Sequence, residues 1–246
     1  MMMVSMSRLL KSLSNPATAI LALTLLSAPV ATIAAPQSTT TNGVTTQEAA
    51  ASDAFPGLKG FLNLSAADRS QINLYYAVRI KRADPSAVKI AMTYNGQSQS
   101  LHIAPDGRIS PLPTREQLNG NARITISGPA SGSYAMKLHV FSTQPNGKTY
   151  DAAALTTGIK QGNAAMGRIA GPLALMVPKL DRVYFVGGGN GEAESANGQK
   201  KPLPKTTSTG EYPAGTPYFV PSQKADVTRL HFSNTVTLAH YDNAPK

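Results

Sequence analysis

Gln71-Ile72-Asn73-Leu74-Tyr75-Tyr76-Ala77-Val78-Arg79-Ile80-Lys81-Arg82 decides the fold class. Ile72, Leu74, Tyr76, Val78 and Ile80 recur at every second position, with Asn73, Tyr75, Arg79 and Lys81 among the residues between them. Side chains of an extended chain point alternately to opposite faces, so this pattern predicts a half-buried strand. Downstream, residues 88–94 and 97–103 read as strands on either side of Asn95-Gly96, a hairpin turn because both residues tolerate positive φ. Asp106-Gly107 marks the next turn, and Pro111 and Pro113 make 110–114 a poor central strand. The β pattern resumes over 123–127 and 134–141.

Between 150 and 177 the period changes. Ala152, Leu155, Ile159, Ala165, Ile169 and Leu173 recur at helical intervals, which predicts a helix over 152–168, interrupted by Gly158, Gly162 and Gly167 and bounded by Pro172 and Pro178. Strands are expected again at 182–186, near 217–220, at 226–232 and at 235–241. Between them, 187–210 is polar and glycine-rich and reads as an exposed loop with a short hairpin at Asn197-Gly198. The fold class is therefore α+β, mainly antiparallel β, as two related sandwich-like units with one helical segment between or against them. The expected division is a first β unit at 55–148, a helical connector at 149–178 and a second β unit at 179–246. One continuous sheet packed by the helix is the alternative, with both halves in one domain.

Two near-repeats support the paired units. Asp106-Gly107-Arg108-Ile109-Ser110-Pro111-Leu112-Pro113 and Asn197-Gly198-Gln199-Lys200-Lys201-Pro202-Leu203-Pro204 are displaced by 91 residues, and Lys137-Leu138-His139 and Arg229-Leu230-His231 by 92. A near-constant displacement points to an internal duplication, each copy holding a turn, a Pro-Leu-Pro edge and a later strand.

At the amino end, Arg8 and Lys11 precede an apolar run at 20–26 and the small-residue site Thr32-Ile33-Ala34, so 1–34 reads as a secretory signal peptide. Residues 35–54 carry scarcely an apolar anchor and are expected to be a flexible leader. Export places the protein in a bacterial periplasm or medium. No later stretch approaches the roughly 18 apolar residues of a membrane helix, so no integral membrane segment is expected after signal removal. The chain has no Cys, which removes disulfides, thiolate catalysis and thiolate-bound metals. The formal charge is +10, or +8 once Arg8 and Lys11 are removed. Such an excess favours anionic envelope surfaces. Nucleic acid is not an expected partner, since no Arg/Lys run exceeds two residues and no basic helix face is present.

Common catalytic patterns are missing. Gly128-Pro129-Ala130-Ser131-Gly132 fails the nucleophile-elbow spacing, and Ser86-Ala87-Val88-Lys89 stands at a strand start without its companion motifs. Gly187-Gly188-Gly189-Asn190-Gly191 lacks the Lys-Ser/Thr of a phosphate loop. The four histidines, His102, His139, His231 and His240, form no closely spaced pair, so a metal would need distant residues to converge and none is expected, nor any cofactor. Period-two placement puts His139 beside Lys137 and His231 beside Arg229. These four residues are the candidate binding surface, with Lys137 and Arg229 contacting anionic groups.

The function expected is that of an exported, non-catalytic binding or envelope-associated protein whose partner is an anionic envelope component or an envelope protein. A small periplasmic hydrolase of cell-wall or polysaccharide material is the enzyme alternative, marked by a concave site with two close carboxylates or an acid beside His102 or His240. A structural subunit of an envelope assembly, pairing through exposed strand edges, is the third.

Overall fold

The structure, a computed structural model, describes residues 37–170, 178–207 and 211–244. In chain order it forms β1 (Gln37–Thr41), β2 (Val44–Ala50), the short helices α1 (Ala51–Ala54) and α2 (Leu58–Leu62), β3 (Ile72–Lys81), β4 (Lys89–Tyr94), β5 (Gln97–Ile103), β6 (Ile109–Ser110), α3 (Arg115–Asn119), β7 (Arg123–Pro129) and β8 (Ser133–Ser142). β9 (Thr149–Asp151) leads into the long helix α4 (Ala152–Ala170). β10 (Arg182–Val186), β11 (Gly191–Ser195), β12 (Lys200–Pro202), β13 (Tyr218–Phe219), β14 (Val227–Phe232) and β15 (Leu238–Asp242) follow. The strands build a six-stranded sheet β1-β2-β7-β4-β5-β6, a five-stranded sheet β13-β10-β15-β8-β3 and a four-stranded sheet β12-β11-β14-β9. The fold is α+β and mainly antiparallel.

β3 carries out the alternation read from its sequence: Ile72, Leu74, Tyr76 and Val78 are buried. It pairs with β8 along its whole length, from Ile72 opposite Ser142 to Lys81 opposite Ser133. The buried face of this one strand feeds two cores. Ile72 and Leu74 join a cluster with Leu155, Phe185, Leu230 and Tyr241, while Tyr76 and Val78 join one with Phe55, Ile90, Met92 and Ile124. Burying each large apolar side chain stabilises the fold by about 1.5–3 kcal/mol.

Two expectations are corrected. Residues 37–50, part of the expected flexible leader at 35–54, form a β1–β2 hairpin, and β2 pairs with β7 from Val44 opposite Pro129 to Ala50 opposite Arg123. Its turn is Asn42-Gly43, both at positive φ (51° and 75°). Backbone pairing to β7 and the β preference of the threonines hold a segment that lacks apolar anchors. Second, the expected loop at 187–210 contains β11, whose inward residues Gly191, Ala193 and Ser195 are too small to register as an apolar stripe. The expected hairpin at Asn197-Gly198 joins it to β12. Of the two arrangements expected for the halves, separate units or one domain, the sheet order fits the second. β3 and β8 from the first half share the five-stranded sheet with β10, β13 and β15 from the second, and the described residues fall in one compact unit. One core cluster draws on both halves, packing Ile72, Leu74 and Val140 with Phe185, Leu230 and Tyr241.

The near-repeats coincide in strand type but not in surroundings. β6 and β12, each just ahead of or within a Pro-Leu-Pro segment, are both sheet edges, whereas β8 lies between β3 and β15 and β14 between β11 and β9. The signal peptide expected at 1–34 and the helix stop expected at Pro172 lie outside the described residues. Among the described residues no helix is long and apolar enough to cross a membrane.

The helix expected at 152–168 spans Ala152–Ala170. Asp151 caps it, accepting from the Ala154 N–H at 2.7 Å. Gly158 lets its backbone pass against the Tyr241 hydroxyl, where a Cβ would overlap the oxygen. Helix propensity alone would make Gly158→Ala stabilising by about 1 kcal/mol. Overpacking reverses the sign, and we expect a loss of about 1–3 kcal/mol in urea unfolding. A more stable variant would show that the helix does not press on Tyr241.

Candidate functional site

Opposite the α4 core, the five-stranded sheet presents a polar face set by strand alternation. In Lys137-Leu138-His139-Val140, Arg182-Val183-Tyr184-Phe185 and Ala239-His240-Tyr241-Asp242, the residues Val140, Val183, Phe185, Ala239 and Tyr241 enter the core. The intervening residues project the other way. Register then places them side by side: Tyr75 opposite His139, Ala77 opposite Lys137, Arg182 opposite Asp242, Tyr184 opposite His240 and Tyr218 opposite Tyr184. The connection between β12 and β13 lays Glu211 and Tyr212 over this face. Tyr212 stacks on Tyr184 with ring centroids 4.0 Å apart.

The centre of the face is a histidine pair. His139 Nδ1 lies 3.2 Å from His240 Nε2 and 3.5 Å from Glu211 Oε1. The Tyr212 hydroxyl donates to Asp242 Oδ2 at 2.8 Å and is also bonded to His240 Nδ1. A hydroxyl has one proton, so His240 must carry its own on Nδ1 and donate to the tyrosine oxygen. The Nε2 lone pair of His240 is thereby aimed at His139. Tyr75 stacks on the His139 ring at 4.6 Å and 8°. Burial, reinforced by the Lys137 charge, holds His139 down at about 4, so its imidazole is neutral at neutral pH. His240, 3% exposed, is also held below the ordinary imidazole range, by burial first and by His139 second. Burial, with Asp242 beside it, pushes the Tyr212 phenol up and keeps it protonated.

Beside the pair opens a cleft of about 680 Å³ lined by Lys137, Arg182, Lys205, Tyr184, Tyr212, Tyr218, Glu211 and Asp242, among others. Lys137 forms an ion pair with Glu211. Asp181 grips Arg182 by two bonds, at 2.8 and 3.0 Å, and the guanidinium lies over the Tyr218 ring. Lys205 meets only the neutral amide oxygen of Asn190, at 2.6 Å, among the described residues.

Of the four residues expected to share a binding surface, Lys137 and His139 lie in this site. Arg229 and His231 do not: they stand on β14 in the four-stranded sheet, where His231 Nε2 bonds Glu194 Oε2 at 2.6 Å and Arg229 lies opposite Glu194. The two triplets share no hydrogen bond or ion pair. His102 is exposed on β5. Sequence reasoning did not connect His240, Asp242, Tyr212, Glu211 or Arg182 with His139, because the pairing of β8 with β15 and the approach of Glu211 and Tyr212 to the sheet leave no local pattern. The alternation in Ala239-His240-Tyr241-Asp242 was the one visible signal. The donor atoms of His139, His240 and Glu211 all lie within 4.8 Å of one another, the convergence of distant residues that a metal would require.

No family model, curated protein or solved structure matches the chain. Geometry and chemistry alone carry the functional reading.

Proposed function

We propose that the protein is an exported, non-catalytic binding protein that takes a small organic anion of the cell envelope in the cleft over the five-stranded sheet. The observation that supports this most is the concentration of Lys137, Arg182 and Lys205 in one tyrosine-walled cleft. Arg182 is pre-oriented by Asp181, and among the described residues Lys205 is the cation of the cleft without an acidic partner. A carboxylate or phosphate would find charge-assisted donors there. Export rests on the Arg8, Lys11 and 20–26 pattern with its small-residue cleavage site.

The test is calorimetric titration at low salt with glucuronate, inorganic phosphate and neutral glucose. The acidic sugar is expected to bind saturably and glucose not to. Lys205→Gln should weaken binding about tenfold, in line with the loss of one charge-assisted bond. Phosphate bound as tightly as glucuronate would place the recognition in the anion rather than in the sugar ring. Unchanged affinity in Lys205→Gln, or no saturable binding of either anion, would refute the proposal.

One observation favours the hydrolase reading: Glu211 and Asp242 line the same cleft, with His240 behind them. Release of reducing ends or peptides from purified cell-wall material, abolished in Glu211→Gln, would support it over simple binding.

A further inference from the structure

We infer that His139, His240 and Glu211 form a binding site for a divalent transition metal of the Zn²⁺ class. The separations are those of a coordination polyhedron. Bonds of about 2.0–2.1 Å to imidazole nitrogen and carboxylate oxygen give a tetrahedral edge of about 3.4 Å. His139 Nδ1 stands 3.2 Å from His240 Nε2 and 3.5 Å from Glu211 Oε1, and all three donors lie within 4.8 Å. Among the described residues no other trio of His, Asp and Glu side chains converges in this way.

The surroundings are those of a metal ligand set rather than of a chance contact. His240 donates its one ring N–H, on Nδ1, to Tyr212, which is anchored on Asp242. Such an outer partner fixes the tautomer and the ring orientation of a ligating histidine. The Tyr75 stack fixes the plane of His139. With metal bound, His139 would carry its remaining proton on Nε2 and offer Nδ1. Two imidazoles and one carboxylate suit Zn²⁺, Co²⁺, Ni²⁺ or Cu²⁺, and give Mg²⁺ and Ca²⁺ too few oxygens. Three protein ligands leave a fourth position, and Glu211 also lines the cleft.

Lys137 supplies the opposing charge. Its ammonium pairs with Glu211, so a metal must compete with it for the carboxylate. Removing Lys137 should therefore tighten metal binding, whereas a role for Glu211 confined to the ion pair would leave affinity unchanged. The inference does not need the cleft to hold an anion. Lys205→Gln tests the cleft and leaves the metal site untouched, so the two readings can fail separately.

The experiment is titration of the full chain, stripped with chelator, with Zn²⁺ by calorimetry and with Co²⁺ by visible absorption. The expected result is one equivalent per chain, with intense Co²⁺ bands of a four-coordinate site, and no response to Mg²⁺. Glu211→Gln and His240→Gln should each weaken Zn²⁺ binding at least about tenfold, the lower range even for outer-sphere losses. Lys137→Met should tighten it several-fold, and His231→Gln should leave it unchanged. Glu211 is a surface residue, so its variant keeps the test valid if His240→Gln does not fold. Absence of stoichiometric binding, equal affinity in Glu211→Gln, weaker affinity in Lys137→Met, or loss of binding in His231→Gln would each overturn the assignment.

Discussion

Phe185→Ala is expected to lower unfolding free energy by about 4 kcal/mol, within the range for a buried aromatic cut to Ala. Phe185 is fully buried on β10. Its ring meets Phe232 of β14 at 4.5 Å and Tyr150 of β9 at 5.4 Å in an edge-on contact. β10 belongs to the five-stranded sheet, β9 and β14 to the four-stranded one, so this ring joins two layers. Removing it leaves a cavity bounded by rigid strands, which collapse poorly. For a chain of this size the melting temperature should fall by about 10 °C. A change under about 1 kcal/mol in guanidinium unfolding would mean that the two sheets do not share a core.

Leu155→Ala should lose about 3 kcal/mol for a related reason. Leu155 is fully buried on α4 and packs in the same cluster as Phe185 and Leu230. Had α4 served merely to connect two self-sufficient β units, its side chains could be trimmed at little cost and the units would unfold separately. Because strands from both halves share one sheet, the variant should instead unfold in a single transition at lower denaturant. Two transitions, or an unchanged midpoint, would instead favour independent units.

Much of this was legible in the sequence, and the reasons are local. The five apolar residues of β3 at period two and the Asn95-Gly96 turn are short-range signals, and both appear as read. The helix at 152–168 could be read despite its glycines because Leu155, Ile159 and Ile169 kept one side. Asn42-Gly43 carries the same turn chemistry as Asn95-Gly96, yet its flanking threonines offer no apolar stripe, so backbone pairing to β7 went unseen. β11 was hidden because its buried positions are Gly, Ala and Ser. The candidate site divides in the same way. Lys137 and His139 could be chosen from alternation, but partnering His139 with His240 and Glu211 depends on which strand lies beside β8 and how a loop folds over it. Similar wording in Lys137-Leu138-His139 and Arg229-Leu230-His231 pointed to one shared surface, and sheet order places them in two.

The most direct measurement is anomalous diffraction at the zinc edge from crystals of the full chain grown with one equivalent of Zn²⁺. The expected map holds one strong peak per chain, about 2 Å from His139 Nδ1, His240 Nε2 and a Glu211 carboxylate oxygen. A peak at His231 and Glu194 instead, or none within coordinating distance of the His139–His240 pair, would contradict the assignment.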